Sequence, residues 1–82
     1  MLNRKFMTEQ EWLVTFGDNL VDILNEYEYD QKEFARECHL SEAAISSYIH
    51  KKRMPGVKAL VNMSRVLGIS LDELMNFGYM VT

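Results

Sequence analysis

Trp12, Leu13, Phe16, Leu20, Ile23, Leu24 and Tyr27 recur at steps of three and four residues, with mostly polar positions between them. A helix puts such positions on one side, so the pattern predicts an amphipathic helix from about Glu9 to Tyr27. Gly17 has weak helix propensity and is expected to divide a mobile N-terminal turn from the domain proper. Phe34, Ala35 and Cys38 form the inward side of a short second helix, Gln31 to Cys38. Ala44, Ile45, Tyr48 and Ile49 do the same for a third, Ser41 to about His50. Pro55-Gly56 breaks the chain before a fourth helix, Val57 to Leu67, with Val57, Leu60, Met63 and Leu67 as its buried edge. Leu71 to Met75 forms a fifth. Alternation at period two never persists, so no strand is expected.

Polar residues punctuate this pattern. Thr8 with Glu11, Asp30 with Glu33 and Ser70 with Glu73 have capping-box spacing, in which a side-chain oxygen accepts from a first-turn N–H and the later Glu reaches back. Ser41 is a further N-cap, and Gly68 suits a left-handed C-cap. Short helices joined by short connections predict an all-α globule, with residues 1–82 as a single domain. There is no repeat and no low-complexity tract.

Composition narrows the function classes. With 82 residues, 48% of them hydrophobic, the chain has room for one core. One cysteine allows no intramolecular disulfide and no clustered metal site, which fits a reducing compartment. No apolar run approaches the roughly 18 residues of a membrane span. The opening MLNRKFMTEQEW lacks the apolar stretch of a signal peptide, so a cytoplasmic protein is expected. The net charge of −3 hides a division: residues 1–30 sum to −5, residues 31–58 to +3 and the remainder to −1. Such asymmetry is compatible with a basic face and an acidic back, or with scattered solvated charge. No Ser/His/Asp set and no phosphate-cradling loop is present, and neither histidine has an evident partner, so an enzyme is not expected. Nor is any cofactor, metal, membrane or small-molecule ligand.

Helices 31–38 and 41–50 are separated by only His39 and Leu40, and so tight a junction needs a small residue where the helices touch, which is Ala35. In order, Gln31, Phe34-Ala35, Leu40-Ser41, Ile45-Ser46, Tyr48, Pro55, Leu60, Leu67-Gly68-Ile69-Ser70 and Leu71-Asp72-Glu73-Leu74 resemble the helix-turn-helix family of phage repressors and Cro proteins, the XRE type. The resemblance covers about residues 16–76, with the helix-turn-helix proper at about 31–50 and an N-terminal helical extension at about 1–15. It implies a five-helix, lambda-repressor-like DNA-binding domain whose third helix enters the major groove. It places Gln31 and Lys32 at a phosphate, and His50, Lys51, Lys52 and Arg53 on the flanking backbone. The basic run is also what a solvated helix end carries to complement the macrodipole. Ser41, Glu42, Ala43 and Ser47 match the base-facing positions.

Departures from the family pattern carry expectations of their own. His39 stands where the family usually has a Gly with positive φ; it is expected to be a tolerated turn residue, at a cost of about 1 kcal/mol. Lys51 stands where a Gly often ends the recognition helix, which is expected to run further. Leu24 and Ile49 match positions that often hold an Arg–Glu pair; replacing both with hydrophobes predicts that they meet in the core. Cys38 is expected to be a small core residue.

The base-facing positions lack the long amides and arginines that pair with adenine and guanine. Two readings of Glu42 stand: it accepts from cytosine N4, or it serves the helix dipole and is blind to DNA. Ala43 suits a thymine methyl, and Ser47 discriminates little, so specificity is expected to lean on DNA shape and dimer spacing. Phe6 and Trp12 either cap the core or form a dimer contact. A homodimer through the C-terminal helix and Phe77, Tyr79, Met80 and Val81 is expected. The expected function is a sequence-specific regulator of transcription acting on double-stranded DNA, a repressor from a bacterium, phage or mobile element. The alternative is a protein-interaction module, such as an adaptor, antirepressor or antitoxin, that keeps the fold with little DNA affinity.

Overall fold

The computed structural model describes residues 6–75. In chain order its helices are α1 (Glu9–Glu26), α2 (Gln31–Glu37), α3 (Glu42–Ile49), α4 (Val57–Leu67) and α5 (Leu71–Met75). The described residues contain no strand. The tail residues Phe77, Tyr79, Met80 and Val81, expected at a dimer contact, lie outside the described residues.

The caps start the helices as their side chains dictate. Thr8 Oγ1 accepts from the Glu11 N–H at 3.1 Å, and Glu11 Oε1 accepts from the Thr8 N–H at 2.8 Å. Asp30 Oδ1 accepts from the Glu33 N–H at 2.7 Å, and Ser41 Oγ from the Ala44 N–H at 3.0 Å. Ser70 and Glu73 exchange the same pair of bonds as Thr8 and Glu11, at 3.1 and 3.3 Å.

The helix ends share another device. After α1, α2 and α3 a residue turns left-handed: Glu28 (φ 58), His39 (φ 59) and Lys51 (φ 62). The following N–H then reaches back to the carbonyl five residues earlier, in Tyr29 to Leu24, Leu40 to Ala35 and Lys52 to Ser47 bonds of 2.9 Å each. This is the Schellman closure, which satisfies carbonyls a helix end leaves unpaired. Gly68 (φ 68) closes α4, so of the first four helices α4 alone uses glycine for the purpose.

Phe16, Leu20, Leu24, Phe34, Ala35, Ile45, Tyr48, Met63, Leu67 and Leu74 form one core. α1 packs against α3 and α5, α2 against α3, and α4 against α5. Asn19 fastens α1 to the end of α5 by donating to the carbonyls of Glu73 (2.9 Å) and Leu74 (2.8 Å). Leu24 is buried and Ile49 packs on the core; the two line one surface depression beside Gln31. Cys38 is buried, as expected, and burial pushes its thiol up to about 11.

Some expectations are corrected. Gly17 divides nothing: α1 runs through it unbroken, and it is buried. A Cβ there would lie 2.9 Å from the Tyr48 carbonyl oxygen and 3.3 Å from that of Ile49, so Gly17 lets α1 approach the end of α3. Tyr27, expected on the apolar stripe, caps α1 and is 41% exposed. Val57 is not on the buried edge but 78% exposed. Ala59, Met63 and Leu67 set the inward side of α4, and Val57, two residues before Ala59, falls on the opposite side. α3 does not extend past Lys51; it ends at Ile49, and Lys51 itself takes the left-handed turn. The α2–α3 connection includes the caps Cys38 and Ser41 as well as His39 and Leu40. Phe6 caps no core, being 88% exposed, whereas Trp12 packs against it.

Candidate nucleic-acid interface

Burial of Ala44, Ile45 and Tyr48 fixes which side of α3 faces the core. Phe16 meets Tyr48 edge to face, with ring centroids 6.2 Å apart. The positions left outside follow from the helical repeat. Glu42 and Ala43 are exposed, and Ala43, Ser46, Ser47, His50 and Lys52 line one open depression along the outer face. The base-facing candidates Ala43 and Ser47 are thus brought together. Ser41 sits at the end of this face, where capping occupies its oxygen as an acceptor and leaves its hydroxyl free to donate. Glu42 stands in the first turn beside it.

Ser46 belongs to this surface although it was not among the base-facing candidates. It also orients His50. The imidazole Nδ1 lies 2.8 Å from the Ser46 carbonyl oxygen and 3.2 Å from Ser46 Oγ. A carbonyl only accepts, so the bond requires a proton on Nδ1 and leaves Nε2 as the outward ring nitrogen.

The side chains of the basic run do not project as one patch. Lys51 Nζ is 2.8 Å from Asp18 Oδ1 on α1. The guanidinium carbon of Arg53 lies 5.8 Å from the centroid of the Tyr48 ring, within cation–π range. Lys52 is exposed at the edge of the α3 depression.

Gln31 opens α2, half-buried in a separate depression lined by Val21, Leu24, Asn25, Tyr29, Asp30 and Ile49. Lys32 beside it is exposed. The cap before Gln31 is the carboxylate of Asp30, which offers negative charge to the same first-turn N–H groups that would receive a phosphate. Tyr29 donates its hydroxyl to Glu37 Oε1 at 2.7 Å, and that bond raises the phenol above its ordinary pKa.

Two features escaped the sequence reading. Asn62 on α4 donates to the Cys38 carbonyl at 3.0 Å, tying the turn between α2 and α3 to the following helix. No local pattern marks such a bond between residues 24 apart. The start of α4 also has no side-chain cap, because Gly56 occupies the position. Its first-turn N–H groups, next to the exposed Lys58, can receive an anion. The Pro55-Gly56 pair was the available signal, read only as a break. The described residues hold no cluster of His, Cys, Asp or Glu suited to a metal, and no helix long and apolar enough to cross a membrane.

Comparison with known proteins agrees with this arrangement. No curated protein matches the chain in sequence. Among solved structures, a hypothetical transcription factor (NHTF) from Neisseria is similar with a TM-score of 0.74 at 21% identity, over 92% of this chain and 86% of that one. The restriction-modification controller protein C.AhdI from Aeromonas hydrophila is similar with a TM-score of 0.72 at 21% identity, over 76% of this chain and 94% of that one. At such identity these likenesses speak for the fold alone. The helix-turn-helix family model matches residues 20–74, from the middle of α1 to α5. The α2–turn–α3 unit, its left-handed turn at His39 and this match together show that the chain belongs to the helix-turn-helix family, of the phage repressor and Cro (XRE) type.

Proposed function

We propose that the protein is a sequence-specific regulator of transcription that binds double-stranded DNA as a homodimer, with α3 in the major groove, and represses by occlusion. The observation that carries this reading is the outer face of α3. The core holds its inward side, and the solvent side presents a continuous run of small and polar groups from Ser41 to Ser47, bordered by His50 and Lys52. A helix entering the major groove needs a solvent-facing side whose groups can meet base edges, and this one offers serine hydroxyls, a carboxylate and an alanine methyl. Ser41, Glu42, Ala43 and Ser47 face the bases in this reading, and Gln31, Lys32, His50, Lys52 and Arg53 border the phosphates. The two similar structures, a hypothetical transcription factor and a restriction-modification controller protein, agree with it.

Binding to random duplex at several salt concentrations tests the reading. A dimer making several phosphate contacts loses affinity by orders of magnitude between about 50 and 200 mM salt. Absence of binding even at the low end would overturn the proposal in favour of a protein-interaction role. Repression is tested separately: a selected site placed over a promoter should lower reporter output when the protein is expressed, and raised output would refute occlusion.

A further inference from the structure

Lys51, Lys52 and Arg53 are consecutive, but the fold sends them three ways. The N–H groups of Lys51 and Lys52 donate to the carbonyls of Tyr48 (3.1 Å) and Ser47 (2.9 Å), so the backbone reverses at Lys51 with φ 62. This turn lays the stem of Lys51 across α1. Its Cγ would be 2.9 Å from a Cβ added to Gly17, and its Nζ is 2.8 Å from Asp18 Oδ1. Arg53 lies over the Tyr48 ring. Lys52 alone of the three borders the depression formed by Ala43, Ser46, Ser47 and His50.

An ion pair this exposed, at 36% for the Lys51 side chain and 63% for Asp18, is screened and weak by itself. The placement of Lys51 does not depend on it alone, because the left-handed backbone and the glycine surface already direct the stem toward α1. For Lys51 to reach a phosphate beside α3, the side chain would have to leave both. Resting on the DNA-binding reading above, we propose that Lys51 is a positioning residue and not a DNA ligand. With Gly17 and Asp18 it fastens the end of the recognition helix to α1, and of the two lysines Lys52 makes the phosphate contact.

The test compares the full chain with Lys51→Met, Lys52→Met, Asp18→Asn and the Asp18→Asn/Lys51→Met double variant. Met keeps an unbranched apolar stem like that of lysine and removes the ammonium group, and Asp18→Asn is a near-isosteric change at an exposed site. Affinity for random duplex and for a selected site is measured across a salt series, and thermal unfolding is followed without DNA. Removing one cation from a phosphate makes the slope of log K against log salt shallower by about 0.9. Lys52→Met should show that change for each protomer bound. Lys51→Met and Asp18→Asn should leave the slope unaltered, weaken the selected site more than random duplex, and lower the melting temperature non-additively in the double variant. A shallower slope for Lys51→Met would overturn the proposal. So would tighter binding with a steeper slope for Asp18→Asn, since Asp18 would then be competing with DNA for Lys51. Additive melting shifts would deny the fastening. A wild-type chain that binds no duplex defeats the DNA reading and the role of Lys52 with it. That failure is distinguishable, because the unfolding comparison reports the Lys51–Asp18 pair without DNA.

Discussion

His39 shows how a single side chain can sit against the preference of its own backbone. Its φ of 59 closes α2 and opens the turn to α3, where an L-residue with a Cβ is strained. His39→Gly should therefore stabilise the protein by about 1 kcal/mol in chemical denaturation, an increment reduced by the extra freedom glycine has when unfolded. Glu42 differs, because its backbone is ordinary and its charge is the issue. Neutralising it in Glu42→Gln should raise affinity for random duplex by removing repulsion from phosphate. Sites selected by that variant should lose a cytosine preference if the carboxylate reads bases and keep their preference if it does not. Cys38 links burial to pH. Its thiol is pushed up from 9.0 to about 11 in the folded chain, so folding favours the protonated form. That contribution is complete below pH 9 and disappears as pH rises toward 11. Stability measured across that window should fall, and Cys38→Ala should show a shallower decline.

Among the helices, the junction of α1 with the end of α3 sets how α3, the helix proposed to enter the groove, is held. Gly17 is where the two approach, with the Tyr48 and Ile49 carbonyls facing it. Gly17→Ala gains helix propensity locally, yet the added methyl meets backbone, which cannot rotate away. Overpacking of this kind costs about 1–3 kcal/mol, so the net effect on unfolding should be destabilising. DNA affinity should fall as well, because the end of α3 must shift. A stabilised variant with unchanged DNA binding would show the approach to be looser than its geometry. The lesson extends to sequence reading. The weak helix former in the α1 stripe was visible, but its meaning required knowing what lies opposite. The same holds for Val57, whose exposure depends on which positions of α4 its neighbours claim.

Taken as a whole, the chain offers one helix, α3, for the proposed reading of DNA, and a single such helix with few basic neighbours binds poorly at physiological salt. The proposed homodimer resolves this by joining two half-sites. Binding should be tightest when half-site centres are about 34 Å apart, one turn of DNA, and should weaken when a few base pairs are inserted between them. Equal binding at every spacing would favour independent protomers. The exposed Leu71 of α5 lies close in sequence to the tail residues assigned to the contact.

Helix positions, the side-chain N-caps, most of the core of α1 to α3 and family membership were legible from the residues alone. Their causes act over three to five residues: side-chain periodicity, an N-cap oxygen meeting a nearby N–H, a turn that ends a helix. The α4 bounds, Val57–Leu67, and the start of α5 at Leu71 follow from Pro55-Gly56, Gly68 and Ser70 in this way. Partners were a different matter. Nothing in the sequence joins Asn62 to the Cys38 carbonyl, Asn19 to the end of α5, or Asp18 to Lys51, because each bond links residues that only folding brings together. The basic triplet makes the point most directly. As a string it reads as one cationic patch; once the chain turns left-handed at Lys51, its charges face α1, the outer depression and an aromatic ring. Direction in space, set by backbone dihedrals and by what packs opposite, separates residues that adjacency had grouped.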